Sequence, residues 1–93
     1  MATACARHIL VKTKEEAEKI KQQLAKGSDF AKLAKKHSLC KSSAKKGGEL
    51  GEFRPGTMLK AFDNVVFKKT VLKIHGPVKT KLGFHLIETI YRH

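Results

Sequence analysis

Three residues of this chain have side chains and settings suited to chemistry: His8 near the start, His85 near the end and Cys40 between them. Each also has a plain structural explanation, since a strand histidine is usually packed or hydrogen-bonded and a lone buried cysteine is usually inert. The case for function is a joint one. Leu50, Met58 and Phe62 supply a nearby apolar set, and apolar walls with a few convergent polar groups are the general form of a small-ligand site. Nucleophilic catalysis would need a thiolate activated by a positioned base, and no oxyanion motif accompanies Cys40. Cys5-x-x-His8 and His37-x-x-Cys40 have the spacing of zinc ligands, but residues three apart on a strand point to opposite faces, so no metal is expected. Gly47-Gly48-x-x-Gly51 lacks the Lys-Ser/Thr pair and following helix of a phosphate-binding loop, and no cofactor is expected.

The elements that must position these residues are legible in the same sequence. Gly83 to Arg92 is aromatic and β-branched, bounded by glycine, with His85, Ile87, Thr89 and Tyr91 on one side and Phe84, Leu86 and Ile90 on the other. Both sides are largely apolar, which predicts a central strand. Ala6 to Val11 is a second apolar strand whose Ala6, His8 and Leu10 share a face. If the two strands are neighbours, the imidazoles can meet across the sheet.

Thr13-Lys14-Glu15-Glu16 has the form of a capping box, in which hydroxyl and carboxylate satisfy orphan amides. It predicts a helix from Lys14 to about Lys26 with Ala17, Ile20 and Leu24 inward and Gly27 as its stop. Ser28 or Asp29 caps a second helix carrying Phe30, Leu33, Ala34 and His37 on one face. Lys41 to Gly48 is the most mobile-looking segment, with an extra short helix near 41–46, and Glu49 to Phe53 is a short strand. Thr57 is placed to cap a helix with Met58, Ala61, Phe62, Val65 and Val66 inward. His75-Gly76-Pro77-Val78 reads as an edge strand, where proline costs no ladder bond. The order is β-α-α-β-α-β-β, an α+β chain.

Ninety-three residues suit a single domain, 1–93, with one core. The 41% apolar content excludes intrinsic disorder, while 20 Lys and Arg against 8 Asp and Glu give a formal charge of +12. Such a surface attracts polyanions or simply keeps the chain soluble. Few arginines and few aromatics argue against specific nucleic-acid readout. No apolar run reaches membrane-spanning length, Met1 to Cys5 has no leader pattern, and two cysteines do not make a disulfide framework. A cytoplasmic monomer is expected.

His8-Ile9-Leu10-Val11-Lys12, Asp29-Phe30 with Leu33-Ala34, Gly48-Glu49-Leu50-Gly51-x-Phe53, Met58 with Phe62, Gly76-Pro77-Val78 and Gly83-Phe84-His85-Leu86-Ile87 together resemble the parvulins. These are peptidyl-prolyl cis/trans isomerases, or rotamases, with a chaperone role in protein folding. The resemblance runs from His8 to Tyr91 and is greatest to the small stand-alone bacterial members that are a catalytic domain alone. It implies the parvulin (FKBP-like) fold, a four-stranded antiparallel sheet surrounded by helices with the first and last strands central. It further implies a catalytic set of His8, His85, Cys40 over the substrate bond, and Thr80 hydrogen-bonding behind them. Leu50, Met58 and Phe62 would hold the substrate proline, with Phe53 completing the wall beneath. The implied substrates are X-Pro bonds in proline-containing peptides or unfolded protein clients. Phosphate-selective parvulins carry a basic cluster in a long loop after the first strand. Here the capping box follows Lys12 almost at once, and Lys12 with Lys14 makes a poor phosphate clamp, so no phosphate dependence is expected. The alternative is a basic binding module that engages RNA, ribosome or anionic membrane weakly, with little catalysis.

Overall fold

Ten residues, Gly83–Arg92 (β4), form the longest strand, and in the computed structural model it is paired on both sides. The structure describes residues 3–58 and 60–93; the leader reading at Met1 and Ala2 falls outside them. With β1 (Ala4–Val11), β2 (Glu49–Phe53) and β3 (Ile74–Thr80), β4 makes one antiparallel sheet of order β2-β1-β4-β3. The first and last strands are therefore central, and the proline-bearing β3 lies on an edge, as expected.

Helices α1 (Lys14–Ala25) and α2 (Phe30–His37) cover one face. Ile9, Val11 and Leu86 meet Ala17, Ile20, Phe30, Leu33 and Ala34 there. Full burial of an aliphatic side chain is worth roughly 2 kcal/mol, so these contacts outweigh the small propensity differences within so short a helix as α2. The Thr13 hydroxyl accepts from the Glu16 amide at 3.2 Å, as the capping box requires, but the Glu16 carboxylate takes the Thr13 hydroxyl at 3.4 Å instead of a backbone amide. Gly27 follows the helix with φ +99°, a left-handed position suited to glycine. Asp29, not Ser28, caps α2 by accepting from the Ala31 amide.

The opposite face carries α4 (Lys60–Val66), whose Phe62, Val65 and Val66 pack with Ala4, Ala6, Phe53 and Ile87. This helix begins at Lys60, so Thr57 does not stand at its cap. The lysine-rich segment is also better anchored than its composition suggested. It contains α3 (Lys41–Ala44), buries Ser43 and Ala44, and closes with the Gly48 amide on the Ser43 carbonyl at 2.8 Å. Lysine content reports solvent on one side of a segment and nothing about what its other side touches.

Two register shifts place side chains that simple alternation misplaces. Ala6 pairs with Gly51 and Arg7 with Glu49, leaving Leu50 as the extra residue of a bulge. Such a bulge re-aims a side chain, and Leu50 packs with the α4 cluster. Cys5 pairs with Tyr91 and Ala6 with Thr89. Tyr91 therefore shares the face of Cys5 and Arg7, correcting its expected place beside His85 and Thr89. Among the described residues no helix is long and apolar enough to cross a membrane.

Candidate active site

His8 and His85 stand one step apart diagonally, because His8 pairs with Ile87 and Leu10 pairs with His85. Their side chains occupy one face and their Nδ1 atoms lie 3.1 Å apart, with nearly parallel rings. His8 Nε2 lies 3.2 Å from Ser43 Oγ, and the Ser43 hydroxyl donates to the Cys40 carbonyl at 3.3 Å. At the other end Thr80 Oγ1 lies 2.8 Å from His85 Nε2 and accepts from the Leu82 amide at 3.2 Å.

One direction of donation satisfies every atom in this chain. The Ser43 hydroxyl is committed to a carbonyl, which can only accept, so His8 Nε2–H donates to Ser43. His8 Nδ1 is then the acceptor for His85 Nδ1–H, and His85 Nε2 accepts from the Thr80 hydroxyl. Both rings are neutral in this arrangement, with opposite tautomers. Burial, and then the neighbouring His85 charge, lowers the His8 pKa from 6.5 to about 4, and burial lowers that of His85 too. A proton added to His8 Nδ1 would face the His85 donor and break the bond between the rings.

Backbone contacts fix this pair. The His8 amide donates to the Gly48 carbonyl at 2.9 Å, and a Cβ on Gly48 would come within 2.6 Å of the His8 carbonyl oxygen. Gly48, at φ +92°, thus permits the close approach of the α3 turn to β1. Behind it the Leu10 amide donates to the buried Ser38 hydroxyl at 3.1 Å. The Phe62 ring stands nearly perpendicular to those of His8 and His85, with centroids 5.5 and 5.7 Å away.

The predicted set is thereby brought together in layers. His8, His85 and Thr80 form a continuous hydrogen-bonded line. Cys40 joins through its backbone and Ser43, and its half-buried thiol lies 3.7 Å from Ser42 Oγ. Burial raises its pKa, but hydrogen bonds from Ser43 and Ser42 prevail and the net shift is downward. Leu50 and Met58 are half-buried and pack against the cluster that contains Phe62. Phe53 and Phe62 are both buried, with their rings tilted and their centroids 6.3 Å apart. Ser43 and Ser38 escaped the sequence reading, since a serine inside a lysine-rich stretch has no periodicity to announce burial. Among the described residues no three His, Cys, Asp or Glu side chains converge as a metal site.

A neutral, internally satisfied histidine pair thus lies against the buried Phe62 ring. Residues 8–90 match the PPIC-type PPIASE domain. The chain belongs to that family, the parvulin-type peptidyl-prolyl cis/trans isomerases. The foldase protein PrsA of Geobacillus sp. (strain WCH70) is 51% identical over 83 residues, 89% of this chain and 30% of that protein. The crystal structure of PrsA from Bacillus anthracis superposes with a TM-score of 0.95 at 36% identity, covering 99% of this chain and 42% of that one. NmPin, the parvulin of Nitrosopumilus maritimus, gives a TM-score of 0.87 at 38% identity over 98% of both chains. The chain thus spans under half the length of these PrsA proteins and nearly all of NmPin.

Proposed function

We propose that this protein accelerates rotation about X-Pro bonds in unfolded or extended client segments, noncovalently and without a need for phosphate. The observation that carries this reading is the neutral His8–His85 pair lying against Phe62, whose apolar cluster also receives the half-buried Leu50 and Met58. Unaided rotation crosses a barrier of about 20 kcal/mol, and five decades of acceleration require lowering it by roughly 7 kcal/mol. The twisted imide has lost resonance and is less polar at its carbonyl. An apolar surface that strips water from the bond therefore disfavours the planar ground state relative to the twist. The pyrrolidine ring is held by Leu50, Met58 and Phe62 while the carbonyl side turns, and Cys40 acts by shape and electrostatics.

NMR exchange spectroscopy on X-Pro peptides tests this. The folded protein is expected to accelerate exchange, Met58→Ala is expected to lower turnover several-fold through lost proline contacts, and a phosphoserine before proline is expected to give no advantage. No acceleration by the pure protein would sink the reading; a strong phosphopeptide preference would remove its phosphate independence. A Cys40 adduct trapped by mass spectrometry during turnover would replace the noncovalent mechanism.

A second, weaker activity is read from the charge. Lys32, Lys35 and Lys36 on α2 and Lys41, Lys45 and Lys46 around α3 are all exposed. The turn carrying Lys45 and Lys46 lies against α2, since a Cβ on Gly47 would meet Ala31 Cβ at 2.7 Å. This lobe supports loose, nonspecific attraction of RNA or anionic lipid, with association falling steeply across a salt series; absence of binding at low salt would leave the charge as a matter of solubility. A cytoplasmic monomer remains the proposed state, supported for the compartment by the free thiols of Cys5 and Cys40.

A further inference from the structure

Between α1 and β3 the surface forms a cleft of about 460 Å³, lined by Lys14, Glu18, Lys21, Gln22, Ala25 and Pro77. Helix α1 and Phe62 pack on opposite faces of the sheet, so this cleft is separate from the histidine site. Its α1 residues recur at spacings of three and four, which keeps them on one stripe of the helix beside the buried Ala17 and Ile20. Pro77 brings an apolar ring and no N–H, and β3 is an edge strand, so no further strand covers the cleft beyond it. Apolar surface also comes from Ala25 and from the methylene stems of Lys14 and Lys21. A volume in this range suits a small ligand or a few peptide side chains.

Lys21 is the polar centre of the cleft. Its half-buried side chain donates from Nζ to the Gly76 carbonyl at 2.6 Å. Gly76 is itself held from the other side, since a Cβ there would come within 2.5 Å of the His85 carbonyl oxygen, and the ammonium therefore has a set position. An ammonium carries three N–H donors. Here it meets one neutral acceptor, and among the described residues the ion pair that forms is Arg7 with Glu88, elsewhere in the fold. Glu18 lines the same cleft without pairing with Lys21, and Lys14 adds a second positive charge, which leaves the lining net positive. A fixed ammonium with unused donors beside apolar surface is complementary to a carboxylate carried next to an apolar group. A basic segment would meet two lysines there, and an uncharged one would leave the donors unmet.

We infer that this cleft is a second binding site, for an extended segment of another polypeptide that sets an acidic side chain on Lys21 and an adjacent apolar side chain against Pro77 and Ala25. An ion pair in a half-exposed setting adds about fivefold in affinity, and added salt screens part of that gain.

The test is an amide NMR titration of the full chain with a capped, proline-free peptide in which one glutamate stands between leucines, and with its glutamine counterpart. Lacking proline, the probes make the result independent of the isomerase reading. Saturable shifts are expected at Lys21, Gln22, Ala25 and Gly76, with the glutamate peptide about fivefold tighter than the glutamine one. Lys21→Gln removes the charge and keeps an N–H donor. Ala25→Glu leaves Lys21 in place and offers it a carboxylate of the same helix at the i,i+4 spacing. Each variant is expected to erase the preference, with its own amide spectrum reporting that it is folded. Equal affinities in the unmodified protein, shifts confined to other residues, or a preference that survives either substitution would overturn the inference. Displacement of the peptide from these amides by a uridine oligonucleotide would also overturn it, by reassigning the cleft to nucleic acid.

Discussion

Phe62→Ala is expected to cost about 3–5 kcal/mol of stability, the range for truncating a buried aromatic, and to lower isomerase turnover at least tenfold. Phe62 is only 3% exposed and touches two systems at once. The Phe53 ring is tilted beside it, and the His8 and His85 rings stand nearly perpendicular to it. Its removal opens a cavity in the core on the α4 side and at the same time admits water to the neutral histidine pair. Small domains have roughly 5–15 kcal/mol in total, so this variant sits near the margin of folding. Urea denaturation measures the first effect, and exchange spectroscopy at 10 °C, on material shown to be folded, measures the second. Phe62→Leu keeps most of the volume and is expected to recover most of the stability while recovering less of the turnover. A loss below about 1 kcal/mol in the alanine variant would show that the aromatic layer is not a structural unit.

The second large effect is acid destabilisation. A His8 pKa lowered from 6.5 to about 4 means that the unfolded chain takes up a proton in this interval while the folded chain does not. Stability is therefore fully present above pH 6.5 and declines as pH falls toward 4, by about 3 kcal/mol from His8 alone. His85, also lowered by burial, acts in the same direction. Urea midpoints at pH 7, 6, 5 and 4.5 should fall steadily, and the slope should flatten in His8→Asn, which has no ring to titrate. An unchanged midpoint between pH 7 and 4.5 would refute the neutral buried pair. Turnover should follow the same direction, since protonation of His8 breaks the bond that orients both rings.

Placing a polar pair in the interior has a structural consequence as well. Neither ring is left unsatisfied, because Ser43 closes one end of the line and Thr80 the other. A half-satisfied version would cost more than an apolar core of the same shape. The hydroxyls of Ser43 and Thr80 are thus as much a part of the fold as of the site.

Much of this protein was determined locally. The helices α1 and α2 follow from a capping threonine or aspartate and an apolar stripe, and the central strands from runs apolar on both faces; these patterns are written into consecutive residues and read without knowing their neighbours. The meeting of the His8 and His85 rings was also foreseeable once both strands were central, and the family resemblance named Thr80, whose hydroxyl lies 2.8 Å from His85 Nε2. What the tertiary structure decided is where chain continuity gives no signal. The bulge at Leu50 turned a residue that alternation would send to the other face toward the cluster that contains Phe62, and the register shift between Thr89 and Tyr91 sent Tyr91 away from that face. Ser43 became buried because Gly48 lets the α3 turn close against the His8 backbone. Register and turn closure depend on hydrogen bonds between residues distant in sequence, and a one-residue slip in such a ladder reverses every side chain beyond it.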